Sequence, residues 1–304
     1  MALNSYIQRV QRLIHDPSAQ FWSTADITAY INEARGQIAA KGQCVRVLPP
    51  TSGGIGTVSM VSAGSGYIGI PTVTAVGLGS GFTATAVMAG QTVASVTVNT
   101  PGTGYFPQST SIVFTPTNGG SGATATPNIT NANQTVINQE VYPFSAANAL
   151  VQLTSGVQSI LTVQSVAISW GQGMKPVVFS WDWGSFQAQL RSYSFGLTGY
   201  PSTAAMYGQG VNGSIYLWPI PSGVYAMDWD CVCLPVDLVS DSTPEAIPYP
   251  WTDAIAYFAA GLCFDNSRQG QNSDRFYQRY EQKMQAARAF SDNGMIPSYY
   301  DGDY

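Results

Sequence analysis

The chain has 304 residues, a formal net charge of -5 and only 10% charged residues, where about a quarter is usual for a soluble domain. Such a balance argues against tight binding of a polyanion, because nucleic-acid affinity rests on Lys and Arg neutralising phosphates. Val47 to Gln139 holds no acid, base or histidine, and Glu140 alone interrupts the stretch between Arg46 and Lys175. That stretch cannot supply general acid-base groups, carboxylate metal ligands or ion-pair anchors, which leaves packing, backbone hydrogen bonds and hydroxyl or amide contacts. A structural or binding role follows, with much of the neutral, Gly- and Tyr-rich surface covered by neighbouring copies.

Met1 to Gln20 carries Arg9, Arg12 and Asp16 and lacks an apolar core followed by a small-residue cleavage site, so it does not read as a secretory signal. The longest apolar run, Ala254 to Phe264, is too short for a membrane span. Cys44, Cys231, Cys233 and Cys263 are too scattered for a disulfide framework and read as buried thiols of a soluble protein made in the cytoplasm.

Leu3, Ile7, Val10 and Ile14 share one stripe at helical spacing, and Asp16-Pro17 stops that first helix, since a residue before proline is pushed out of helical backbone. In a second helix Ser23 or Thr24 caps the start and Asp26 suits its positive end. Ile27, Tyr30, Ile31, Ala34 and Ile38 form its buried face, and Gly42 ends it. A short strand, Cys44 to Leu48, leads into Pro49-Pro50.

From about Ser52 to Thr130 the period changes to two and the sequence repeats itself at a spacing of 38 residues. Val58 to Tyr67 aligns with Val96 to Tyr105, so that Gly64, Gly66 and Tyr67 recur as Gly102, Gly104 and Tyr105. Pro71 to Thr74 then matches Ser111 to Phe114, and Thr83 to Ala86 matches Ala123 to Thr126. Alternating β-branched residues between Gly-rich turns predict strands, each copy burying its face against the other.

A second β-region runs from Gln134 to Val239, with strands expected near Thr135 to Val141, Ile160 to Trp170, Pro176 to Trp183, Ser214 to Pro219 and Val224 to Leu234. Asn212-Gly213 and Pro221-Ser222-Gly223 supply the turn chemistry. Pro248 and Pro250 introduce a helix with Trp251, Ile255, Phe258 and Leu262 on one stripe. A last helix, from near Ser273 to Gly294, buries Phe276, Tyr280, Met284 and Ala287. The predicted class is α+β: N- and C-terminal helices forming a helical bundle, a central antiparallel β-region and an inserted two-copy β-repeat domain. The helical core takes residues 1–50 and 244–304, the inserted repeat 51–134, and the β-rich domain 135–243.

Several patterns invite chemistry. Gly208-Gln209-Gly210-Val211-Asn212-Gly213 matches the dinucleotide-binding pattern, but a strand is expected after it where that fingerprint needs a helix. Cys231 and Cys233 share a strand face closer together than zinc pairs usually lie, and the one histidine, His15, reads with Asp16 as a solvated helix end. Asp182 between two tryptophans, and Asp228 with Asp230 around Trp229, resemble a glycosidase carboxylate pair, but alternate strand positions suit solvent-facing residues with Trp229 and Cys231 inward. Seven of the seventeen acids lie between Asp228 and Asp265, while Arg268, Arg275, Arg279, Lys283 and Arg288 gather in the last helix region. That segregation suits either ordinary solvated faces or a ring with acidic elements toward DNA and a basic helix toward another protein.

In order along the chain, Phe21-Trp22-Ser23-Thr24 to Tyr30-Ile31-Asn32-Glu33-Ala34, Gly199-Tyr200-Pro201, Gly213 to Pro221, Asp237-Leu238-Val239, Ile247 to Ile255 and Tyr257 to Phe264 resemble the head-to-tail adaptor (tail accessory or connector) proteins of tailed bacteriophages. The likeness is greatest to the podophage type that docks under the portal, and each motif is a packing signature. The resemblance implies a non-enzymatic virion protein of the neck or tail, assembled in the host cytoplasm, without catalytic residues, cofactor, metal or membrane contact. It implies a homo-oligomeric ring, usually a dodecamer, between the portal protein and a tail nozzle or hub protein, through which genomic DNA passes without sequence-specific binding. The C-terminal segment from Arg288, with Phe290, Ile296, Tyr299, Tyr300 and Tyr304 as anchors, would reach into the portal. Simple adaptors lack the repeat, which resembles phage decoration and fibre modules, so residues 51–134 are expected outside the ring. There Tyr67 and Tyr105 would contact a tail fibre, a capsid neighbour or cell-surface sugar. The alternatives are a tail or fibre-base protein whose β-repeats bind a receptor or fibre, and a glycan-cleaving enzyme resting on Asp182, Asp228 and Asp230.

Overall fold

A computed structural model describes residues 2–171, 173–180, 183–191 and 196–293. Helices α1 (Leu3–Leu13) and α2 (Thr24–Gly42) lead through β1 (Arg46–Val47) into β2 (Gly54–Ser65), β3 (Thr72–Val76), β4 (Ser80–Ala89), β5 (Thr92–Thr103), β6 (Ser111–Thr115) and β7 (Ser121–Thr130). Then come β8 (Val141–Pro143), α3 (Phe144–Val151), β9 (Val157–Trp170), β10 (Gly173–Pro176), β11 (Val178–Ser180) and the short α4 (Trp183–Phe186), continued by a π-helical turn, Gln187–Arg191. Strands β12 (Thr198–Gly199), β13 (Thr203–Tyr207), β14 (Ser214–Trp218), β15 (Ile220–Pro221) and β16 (Met227–Pro235) precede α5 (Thr252–Asn266) and α6 (Gly270–Asn293). The class is mixed α+β, with several antiparallel sheets. A helical unit holds the residues up to Val47, Gln152–Thr162 and those from Val232 on, and a β unit holds Leu48–Val151 and Val163–Cys231. Strands β9 and β16 each contribute residues to both units.

In the helical unit most of the expected stripes are buried: Leu3, Ile7 and Val10 on α1, with Tyr6 beside them, Ile27, Ile31 and Ile38 on α2, and Tyr280, Met284 and Ala287 on α6. Ser23 Oγ accepts from the Asp26 N–H at 3.1 Å and caps α2, and Gln43, at φ 48°, turns the chain out of it. Helix α5 packs against α1, α2 and α6. It can do so closely because its contact positions are small: a Cβ on Gly261 would lie 2.8 Å from the Tyr277 ring. Helix α6 starts at Gly270, earlier than its apolar stripe suggests. The expected strand Cys44 to Leu48 shrinks to two residues beside the end of β16, where the Cys233 N–H donates to the Val45 carbonyl.

In the β unit the six strands β2 to β7 are crossed in their pairing. Strand β2 pairs antiparallel with β7, β4 with β5, and β3 with both β4 and β6. Their core is Ile55, Tyr67, Val73, Ala86, Val93, Tyr105, Ile112 and Ile129. The Tyr67 N–H donates to the Gln91 carbonyl at 3.1 Å, and the Tyr105 N–H to the Gly53 carbonyl at 3.0 Å. The tyrosine rings lie over glycines: a Cβ on Gly120 would fall 2.6 Å from Tyr67, and one on Gly79 2.5 Å from Tyr105. Strands β4 and β7 are equally long and begin at Ser80 and Ser121, so by strand start Thr83 corresponds to Thr124, one residue from the alignment read in the sequence.

The rest of the β unit departs further from expectation. Strand β14 sits between β13 and β8, and β11 runs parallel to β13. The expected strand Thr135 to Val141 is mostly loop, because the Thr135 hydroxyl is held by the Gly223 carbonyl and the Tyr225 N–H, and Asn138 takes a φ of 61°. Pro143 then leads into α3, a helix not expected from the sequence, which buries Phe144, Ala147 and Val151. Of the described residues in Pro176 to Trp183, Pro176 ends β10, Val178–Ser180 is a separate strand, and Trp183 already starts α4.

Candidate assembly surfaces

The most constrained polar structure of the helical unit lies on α2, where Arg35 occupies the buried face among Ile27, Ile31 and Ile38. Its Nε and Nη2 donate to the Glu245 carboxylate at 2.8 to 3.2 Å, and Nη1 donates to Asn32 Oδ1 at 3.2 Å and the Val236 carbonyl at 2.7 Å. Glu245 also accepts from the Tyr6 hydroxyl at 2.9 Å and the Ile247 N–H at 3.0 Å. The Asn32 amide holds both the N–H and the carbonyl of Leu238. Together these bonds fix the segment 236–247 against α1 and α2. Burial, the Glu245 charge and its hydrogen bond all push the Tyr6 hydroxyl far above its ordinary titration range. Sequence reasoning missed this clamp; the available signal was a charged residue at a helical position whose neighbours on the same stripe are all apolar.

Asp16 is not a solvated helix end. It is 4% exposed and accepts from the N–H groups of Gln20, Phe21 and Trp22 at 2.8, 2.9 and 3.1 Å. Desolvation pushes its carboxyl up, but the three backbone donors outweigh it and hold the group below its ordinary value.

Of the expected portal anchors, Arg288 and Phe290 lie on the last turns of α6, while Ile296, Tyr299, Tyr300 and Tyr304 lie outside the described residues. The Arg288 guanidinium donates to the Lys41 carbonyl at 3.1 Å, tying α6 to the end of α2. Phe290 is 65% exposed. Arg275, Arg279 and Lys283 are also exposed and give α6 a basic outer face. Elsewhere in the unit, α1, α2 and residues 237–239 line an open groove that bears Glu33 and Asp237.

Tyr67 and Tyr105 are not contact residues on the free surface. They are 2% and 3% exposed, because each ring fills the space that a glycine of the opposite strand series leaves open. Apolar exposure falls instead on Val61, Ile68, Ile70 and Leu78 of the same module.

The catalytic patterns do not assemble. Gly208 to Gly213 links β13 to β14 through a short 3-10 turn, so no helix N-terminus faces a phosphate there. Asp228 and Asp230 are half-buried on β16 with Trp229 and Cys231 inward, and partial burial raises the Asp228 carboxyl; Asp182 lies outside the described residues. Among the described residues no group of His, Cys, Asp or Glu could hold a metal ion, and no helix is long and apolar enough to cross a membrane.

What the geometry offers is rigid, shaped surface. No match to this chain is found among the curated proteins. Residues 129–297, more than half of the chain, match the SU10 adaptor protein family, and the chain belongs to that family of phage structural adaptors.

Proposed function

We propose that the protein joins the portal to the tail as a homo-oligomeric ring, on the dodecameric pattern of head-to-tail adaptors, closing the head after packaging and framing the DNA exit channel. The family match over residues 129–297 carries this reading. The helices α1, α2, α5 and α6 act as the terminal bundle, and the segment from Arg288 onward, with Phe290 exposed at its start, is the portal-docking element. The exposed bases of α6 and the Glu33–Asp237 groove give one subunit two surfaces of opposite charge, as a head-to-tail ring contact requires. A net charge of -5 lets DNA pass without being gripped.

Residues 51–134 are a two-copy β-repeat placed outside the ring. Strands of 12, 5 and 10 residues occur twice in succession, and the bonds of Tyr67 and Tyr105 mirror each other. Its exposed Ile68, Ile70 and Leu78 on an uncharged surface support contact with a tail fibre or another virion protein. Mass measurement of the purified chain with and without portal protein tests the reading. Closed rings that form with portal are expected, and a monomer or trimer indifferent to portal would remove it.

A further inference from the structure

The turn before β3 carries two bare isoleucines: Ile68 is 78% exposed and Ile70 59%. Its backbone is nevertheless held, because the Ile68 N–H donates to the Asn118 carbonyl at 3.1 Å and the Thr117 hydroxyl donates to the Ile70 carbonyl at 2.9 Å. An apolar knob fixed in this way loses little freedom on docking. Elsewhere in the β unit, the turn after β3 and the segment before β6 border a cleft of about 350 Å³. Leu78, Phe106 and Gln108 line it, together with Gly171, Gly173 and Met174 from where β9 turns into β10. Strands β3 and β6 pair antiparallel with Thr72 beside Thr115 and Val76 beside Ser111. Knob and cleft therefore lie at opposite ends of that pair. Among the described residues no charged side chain lines the cleft, and Val47 to Gln139 carries none, so burying one surface in the other strands no charge.

We propose that the Ile68–Ile70 turn of one subunit inserts into the Leu78–Phe106–Met174 cleft of the next and so links neighbouring β modules head to tail. The contact rests on the ring reading above and adds to it a second, uncharged joint, separate from the charged faces of the helical unit. A second copy of this chain is the occupant because the two surfaces are unlike and sit at opposite ends of one module. That is the arrangement by which a heterologous contact runs from copy to copy. The volume is at the small end of ligand pockets, roughly 300–1,000 Å³, and has room for both isoleucine side chains. Met174, itself 40% exposed, has the free torsions to close around them.

Cysteines placed at the two ends read the contact directly. Full-length chain carrying Ile68→Cys and Leu78→Cys is assembled with portal protein, oxidised and run on a non-reducing gel. Both positions are exposed, so the fold should stand, and the native Cys231, Cys233 and Cys263 are buried and slow to react. A disulfide needs Cα atoms within about 7 Å, so the double variant should give a ladder of linked chains longer than dimers. A mixture of the two single variants should stop at dimers, and either alone should give no linkage. Rings of the double variant without a ladder, linkage by Ile68→Cys alone, or capture of a fibre protein by Ile68→Cys in assembled particles would overturn this contact and leave the ring reading standing. Parent chains that stay single with portal would remove both.

Discussion

Replacing Arg35 by methionine probes the clamp on α2 most directly. The Arg35 and Glu245 side chains are 1% and 5% exposed, and five hydrogen bonds leave the guanidinium. Methionine keeps most of the aliphatic volume but strands the Glu245 carboxylate, still ringed by Tyr6 and Ile247. Removing one partner of a buried ion pair costs about 3–5 kcal/mol, and the bond lost at the Val236 carbonyl adds about 1 kcal/mol. At about 2–4 °C per kcal/mol for a chain of this size, the melting midpoint should fall by roughly 8–24 °C. The double variant Arg35→Met, Glu245→Gln removes the stranded charge while keeping an acceptor for Tyr6 and Ile247, so it should recover part of the loss. Thermal and urea unfolding followed by circular dichroism read both. A single variant within about 2 °C of the parent, or a double variant weaker than the single, would refute the idea that the guanidinium compensates a buried carboxylate.

Gly79→Ala should destabilise the β unit by about 1–3 kcal/mol, because its Cβ would meet the Tyr105 ring at 2.5 Å. Gly120→Ala should cost more, since it adds a φ of 91° to the clash with Tyr67; urea midpoints equal to the parent would contradict this. The Asp16 carboxyl is depressed on folding, so its stabilisation is present above about pH 4 and lost as the pH falls through its lowered value. The stability gap between parent and Asp16→Asn should accordingly be constant from pH 7 to 5 and shrink below pH 4; a gap that widens in acid would reverse the sign. Burial pushes the Cys44, Cys233 and Cys263 thiols up to about 12. Native protein at pH 8 should therefore react slowly with a thiol reagent and fast only when unfolded, and rapid native labelling would disprove the assignment. Arg279→Glu with Lys283→Glu should leave the circular dichroism spectrum unchanged and weaken ring formation on portal; rings of unaltered yield would show that this face makes no subunit contact.

Helices were the most legible part of the sequence. Ser23, Asp26 and the Ile27–Ile31–Ile38 stripe each state a local preference that packing then confirms, and the same holds for Tyr280 and Met284. Loops decided by side chain to backbone bonds were not legible. Thr135 to Val141 alternates like a strand, yet the Thr135 hydroxyl and Tyr142 hydroxyl capture its backbone through partners that no local pattern reveals. Tyr67 and Tyr105 failed as surface residues for a related reason. Their repetition in sequence was visible, but the glycines that make room for their rings, Gly120 and Gly79, lie in turns just before β7 and β4, distant in the chain. The Arg35–Glu245 pair spans the same kind of distance, and only the apolar company of Arg35 hinted at it.

The crossed pairing of β2 with β7 and β4 with β5 makes the module indivisible. Strand β2 finds its partner only in β7, and β4 most of its pairing in β5, so each half of the module leans on the other for its outer strands. Loss of either half would therefore leave the other with unpaired strand edges open to a second chain.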